Sequence, residues 1–183
     1  MSRDDIVALL EELGRELADQ GVQGNLFVVG GAAIALAYNA RRATRDIDGV
    51  FEPKAVIYRA AATVAARHHL PPSWLNDSVK ALLPGNDPGA TDILEVPGLT
   101  VSVPSPRYLL ALKVAAARVD RDADDILLLA SLCGLRTPSE ILDVTEQVIG
   151  PGRPLEAKVQ FLIEELFPAP PPRPQPGCSG SAP

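Results

Sequence analysis

Two successive glycines, Gly30 and Gly31, follow a short apolar run, Leu26-Phe27-Val28-Val29, and precede a stretch rich in Ala, Ile and Leu. A strand that delivers glycines straight into a helix leaves backbone N–H groups uncovered at the helix N-terminus, where an anion such as a phosphate is favoured. The same pair would also serve a tight strand-to-helix turn with no ligand. Fifteen positions after Gly31 comes Asp46-Ile47-Asp48. On a strand the two carboxylates share one face, and like charges so placed repel unless a cation lies between them. Mg²⁺ is the usual choice, because it takes one or two carboxylates together with substrate phosphate oxygens. A solvated strand end paired with Arg41, Arg42 or Arg45 is the other reading of an isolated Asp-x-Asp. The chain has neither a dinucleotide glycine fingerprint nor a phosphate loop closing on Lys-Ser/Thr.

These residues need elements to hold them. Ile6, Leu9, Leu10, Leu13 and Leu17 recur at helical steps and predict an amphipathic helix over residues 4–20, ended by Gly21 and Gly24. Strands are predicted over 26–29 and 46–51, the second stopped by Pro53, with a buried helix over 32–39 between them. An Ala-rich helix over 54–69 and a short one over 73–82, capped by Ser73, lead into the turn-rich loop 84–89. Strands 92–96 and 99–103 form a hairpin about Pro97-Gly98. Four helices follow, over 105–119, 122–132, 138–149 and 154–167, with Pro138 and Pro154 in first turns. Strands first and helices after them predict an α+β fold with a small mixed sheet and a C-terminal helical half. The expected division is a core over 1–104, a helical half packed on it over 105–167, and a disordered Pro-rich tail over 168–183.

With 183 residues, 46% of them hydrophobic and 22% charged, the chain belongs among globular proteins. No apolar run approaches the ~20 residues that span a bilayer, and the first residues lack a signal-peptide layout, so a cytoplasmic protein is expected. Cys133 and Cys178 stand too far apart, with no second ligand nearby, for zinc or a disulfide framework. The net charge of −6 speaks against nucleic-acid binding through a global field. It leaves room for a local basic rim, and Arg41, Arg42, Arg45, Lys54 and Arg59 lie close together in the chain. His68 and His69 would point about 100° apart on a helix, which disfavours a shared metal. Trp74 and Cys133 read as packing residues.

The run Val29-Gly30-Gly31-Ala32-Ala33 and the run Ala43-Thr44-Arg45-Asp46-Ile47-Asp48 together resemble the first two motifs of the DNA polymerase β-like nucleotidyltransferases. More narrowly, they are similar to the AbiEii/MenT-type toxins of type IV toxin–antitoxin systems. Downstream, Leu112-Lys113-Val114-Ala115-Ala116, then Arg118 and Arg121-Asp122-Ala123-Asp124-Asp125-Ile126, fit that group's lysine and aspartate motifs in order and spacing. On this match Lys113 is the motif lysine and Asp125 the motif aspartate, with Arg121 where a lysine is more common. The resemblance covers residues 26–132, and Trp74-Leu75-Asn76-Asp77 is a further similar stretch.

The resemblance implies a polymerase β-like sheet and a metal-dependent nucleotidyltransferase. Asp46 and Asp48 would hold one or two Mg²⁺ ions, Gly30 and Gly31 would donate to the β and γ phosphates of an NTP, and Lys113 would neutralise phosphate charge. Asp125 would either fix Lys113 or contact the base or the acceptor. A third metal carboxylate would come from Asp92 or Glu95, which differ in strand parity, with Asp92 preferred. In MenT-like enzymes the acceptor is the 3′ end of tRNA, so RNA on a rim of Arg41, Arg42 and Arg45 and a cognate antitoxin are implied partners. Transfer to a small-molecule or protein hydroxyl, and a catalytically silent relative that acts by binding a partner, are the alternatives.

Overall fold

The computed structural model describes residues 1–39, 41–117, 121–150 and 152–168. Five strands, β1 (Gly24–Val29), β2 (Ile47–Glu52), β3 (Leu75–Asn76), β4 (Thr91–Val96) and β5 (Leu99–Val103), form one mixed sheet in the order β3-β2-β1-β5-β4. The central β1 is antiparallel to β2 and parallel to β5, which gives the α+β architecture that the element pattern predicts.

Strand parity divides the sheet into two faces. Leu26, Val28, Ile47, Phe51, Leu99, Val101 and Val103 are buried, in one core with residues of α1 (Arg3–Ala18) and α3 (Lys54–His68). Register places Phe27, Val50, Asp48 and Ser102 on the opposite face, where all four are only half-buried. There Phe27 meets Tyr108 of α4 (Pro106–Ala115) edge to face, at 6.4 Å between ring centroids. The sheet therefore buries one face fully and turns the other toward the helices that follow.

α1 is fixed at its start by a reciprocal cap between Ser2 and Asp5. Its other end lies against the hairpin turn. A Cβ at Gly98 would stand 2.3 Å from the Gly14 carbonyl oxygen and 2.5 Å from the Ala18 nitrogen, and its φ is +79°. Both the space and the backbone conformation require glycine. Gly98→Ala is expected to cost about 3 kcal/mol, because main chain rather than a flexible side chain must give way. For a chain of this size that lowers the thermal midpoint by roughly 6–12 °C. An unchanged melting curve would show that α1 can shift freely.

Several elements differ from the sequence expectation. The helix after β1 starts at Gly30 itself, as α2 (Gly30–Ala33), and continues as a π-helical turn over Ile34–Tyr38. β2 begins at Ile47, so Asp46 lies on the bend before the strand rather than on it. No α-helix covers 73–82. Trp74 is fully buried, its indole N–H donates to the Ala61 carbonyl at 3.0 Å, and its own carbonyl accepts from the Ile47 N–H at 2.6 Å. Seating the indole and pairing with the outer edge of β2 outweigh local helix preference, so the chain runs as β3 and then as a 3₁₀ turn over Ser78–Leu82.

The remaining helices are α5 (Ala123–Leu132), α6 (Pro138–Ile149) and α7 (Ala157–Leu166). Pro138 does open a helix, behind a Thr137–Glu140 capping box. Pro154 does not, since α7 starts beyond it with Glu156 at the cap position. α4 ends at Ala115, short of the expected 119, and residues 118–120 lie outside the described residues, as does the tail from 169 onward. Among the described residues no helix is long and apolar enough to cross a membrane.

Candidate active site

β1 ends at Val29, directly opposite Asp48 on β2. The next residue, Gly30, turns with φ +65°, and a Cβ placed on it would stand 3.4 Å from Asp48 Oδ2. A side chain there would crowd the carboxylate and cover the start of α2, so glycine keeps both main chain and carboxylate approachable. Gly31 serves a second contact: a Cβ on it would lie 3.1 Å from Thr44 Oγ1, and the Thr44 hydroxyl donates to the Asp46 carbonyl at 3.1 Å. The loop that carries Asp46 is thereby held against the glycine turn.

Gly30 and Asp48 open onto a cavity of about 870 Å³, which Lys113 of α4 and Asp122 also border. The Lys113 ammonium lies 2.9 Å from Asp122 Oδ1 and 2.8 Å from Asp125 Oδ2. The same Asp125 oxygen takes Nη2 of Arg42 at 3.1 Å. Side-chain exposure is 13% for Lys113, 5% for Asp122, 3% for Asp125 and 35% for Arg42, so the network sits mostly out of water. Asp122 and Asp125 are three positions apart at the start of α5, on one side of its first turn, where the helix dipole favours negative charge. Of the roles open to Asp125, fixing Lys113 is the one its contacts display.

Arg42, expected on an acceptor rim, is instead turned inward onto Asp125. Its Nε is buried and has no hydrogen-bond partner among the described residues. Lys54 is also engaged: it meets Asp77 at 2.5 Å, and this bond, followed by that of Tyr58, holds the Asp77 carboxyl below its ordinary range. Arg41, Arg45 and Arg59 are exposed.

Asp92 and Glu95 do not join the site. They lie exposed on β4 at the sheet edge, with β5 and β1 between them and β2. Three strand spacings put them roughly 14 Å from Asp48 across the sheet, too far to share an ion with it. Asp46, half-buried on its bend, lies outside the β2 ladder, so strand parity does not govern it; only Asp48 of the two borders the cavity. Among the described residues no group of three or more His, Cys, Asp or Glu is placed to hold a metal. Asp48, an oxygen donor on the cavity beside the glycine turn, with Asp46 two positions before it, nevertheless suits Mg²⁺, which needs no more than one or two protein carboxylates.

Sequence reasoning did not single out Asp122, although its spacing to Asp125 at a helix start was visible. It also missed the far wall of the cavity, from Ser78, Val79 and Leu82 on one side and Ile149 and residues 152–156 on the other. His68 contacts Glu12 at 2.5 Å across α1 and α3, and Cys133 packs half-buried against the core, its thiol pushed up by burial.

Comparison with known proteins adds one finding. No curated protein and no solved structure matches the chain. Residues 4–132 match the model of a family described as a nucleotidyltransferase of unknown function (DUF6036), and the matched segment holds the glycine turn, Asp46, Asp48, Lys113, Asp122 and Asp125. Since the match covers well over half of the chain, this protein belongs to the DUF6036 nucleotidyltransferase family.

Proposed function

We propose that the chain is a metal-dependent enzyme that transfers a nucleotide from an NTP to a hydroxyl of RNA, at the 3′ end of tRNA as in the AbiEii/MenT-type toxins it resembles. The observation that carries this reading is the meeting of Gly30, Asp48 and Lys113 on one cavity. The backbone N–H groups at the glycine turn bind phosphate oxygens at a helix start. Lys113, released from its two carboxylates, adds a point charge on the triphosphate. Asp46 and Asp48 are the residues that would hold Mg²⁺, which when bound compensates triphosphate charge and lowers the pKa of the attacking hydroxyl. In the transfer the hydroxyl oxygen bonds the α-phosphorus and pyrophosphate leaves. Asp122, on the cavity wall, is placed to take the hydroxyl proton. Exposed Arg41 and Arg45 would hold the RNA backbone, and a cognate antitoxin would restrain the activity.

The inward turn of Arg42 and the pairing of Lys54 leave fewer free cations for RNA. With the net charge of −6, they favour a second reading in which the acceptor hydroxyl belongs to a small molecule or a protein. The test is incubation with each labelled NTP and total cellular RNA, with and without a chelator. Chelator-sensitive label in tRNA supports the first reading, and label confined to protein or small molecules moves the assignment to the second. No transfer to any acceptor overturns both and leaves the silent, partner-binding relative.

A further inference from the structure

The cavity is lined by two chemically different groups of residues. Gly30, Asp48, Lys113 and Asp122 are polar groups on its lining, and Val79, Leu82, Leu83 and Leu155 are apolar ones from other parts of the chain. The apolar group belongs to the 3₁₀ turn Ser78–Leu82 with the residue after it, and to the segment joining α6 to α7, which is beyond the family-matched residues 4–132. One side chain ties these walls together. Arg153 donates from Nη1 to the Leu82 carbonyl at 2.9 Å and from Nη2 to the Ala81 carbonyl at 3.0 Å. Those carbonyls close the 3₁₀ turn, where acceptors lack partners within the turn itself. The fixed fork of a guanidinium suits two neighbouring carbonyls in a way that an ammonium does not.

Given the nucleotide reading above, on which this rests, we infer that Arg153 is a positioning residue for nucleobase selection. It clamps the 3₁₀ turn against the α6–α7 segment and so sets the width of the slot that receives the base. The argument is one of continuity. A nucleoside triphosphate is charged at one end and flat and largely apolar at the other, and a single cavity holds both groups of residues in one volume suited to a small molecule. With phosphates at Gly30 and Lys113, the base lies against the lining that holds Leu82 and Leu155, where Ser78 and Glu156 are the polar neighbours in sequence. A slot discriminates by size and edge only while its width is fixed, and the two Arg153 bonds fix it. The family-matched segment thus supplies the phosphate-binding residues and one wall of the slot, and the residues after it supply the other wall and the Arg153 clamp.

The experiment measures binding of the four NTPs in non-hydrolysable α,β-methylene form, and of inorganic tripolyphosphate, with Mg²⁺, to the parent, Arg153→Ala and Arg153→Lys. The parent is expected to prefer one base by about tenfold or more. Arg153→Ala should bring the four affinities within about threefold of one another, with tripolyphosphate binding unchanged, and Arg153→Lys should fall between. Circular dichroism checks that each variant is folded. A base preference that survives Arg153→Ala, or a parent without one, overturns the inference and leaves the nucleotide reading in place. Failure of the parent to bind any nucleotide or tripolyphosphate overturns both.

Discussion

Asp48→Asn is expected to lower nucleotide transfer by about 10²–10³-fold while leaving the fold intact. The side chain keeps its size and its place opposite Val29, but loses the negative charge that faces the cavity beside Gly30. Transfer of label from NTP, compared at equal protein concentration with thermal melting as the control, reads the effect. Parent-like incorporation by the variant would remove Asp48 from the reaction. Asp46→Asn belongs in the same series, because its bend places it off the β2 ladder. A comparable fall would mean that the loop brings its carboxylate to the same ion. Full activity would assign the ion to Asp48 alone.

Lys113→Met should be costly in a different way. Removing the ammonium strips a cation from two carboxylates that are nearly out of water, Asp122 and Asp125. Loss of one partner from such a buried arrangement costs about 3 kcal/mol or more, which for this chain length is a drop in thermal midpoint of at least roughly 6 °C. Adding Asp122→Asn to Lys113→Met removes the stranded charge and is expected to recover part of that stability. Transfer should stay lost in both, because no cation remains for the triphosphate. Melting like the parent in the single variant would show that Asp122 and Asp125 do not depend on Lys113. Return of transfer in the double variant would show that Lys113 serves stability alone and that Asp122 takes no proton in the reaction.

What the sequence displayed was what period and local chemistry encode. The glycine pair followed by Asp48 was legible because a strand-to-helix turn is a short-range pattern, and β1 and β2 do pair so as to bring them together, whereas the two-residue strand repeat fails at Asp46 on its bend. The hairpin about Gly98 was legible for the same reason. Lys113 and Asp125 stood out through motif spacing, and the structure sets them 2.8 Å apart. Strand order was not legible. Parity could rank Asp92 against Glu95 but could not reveal that β4 lies at the edge, with two strands between it and Asp48. Arg42 read as one basic residue among several, since nothing local announces a partner on α5 that lies 83 positions away. Trp74 carried the opposite lesson: Ser73 and Leu75 permit a helix locally, yet burying the indole and completing the edge of β2 dictates a strand.

The two groups of residues on the cavity also differ in how far apart in the chain their parts lie. Gly30 directly follows β1 and Asp48 lies on the neighbouring β2, at the middle of the sheet, whereas the Arg153 bridge to Leu82 closes a loop of 71 residues. Closing the longer loop costs roughly 1 kcal/mol more entropy, and it is secured by exposed bonds rather than by sheet pairing. Openings of low free energy start at such places, while central strands part only when the whole domain unfolds. The Arg153 bridge is therefore the part of the cavity wall expected to open first, while β1 and β2 stay paired.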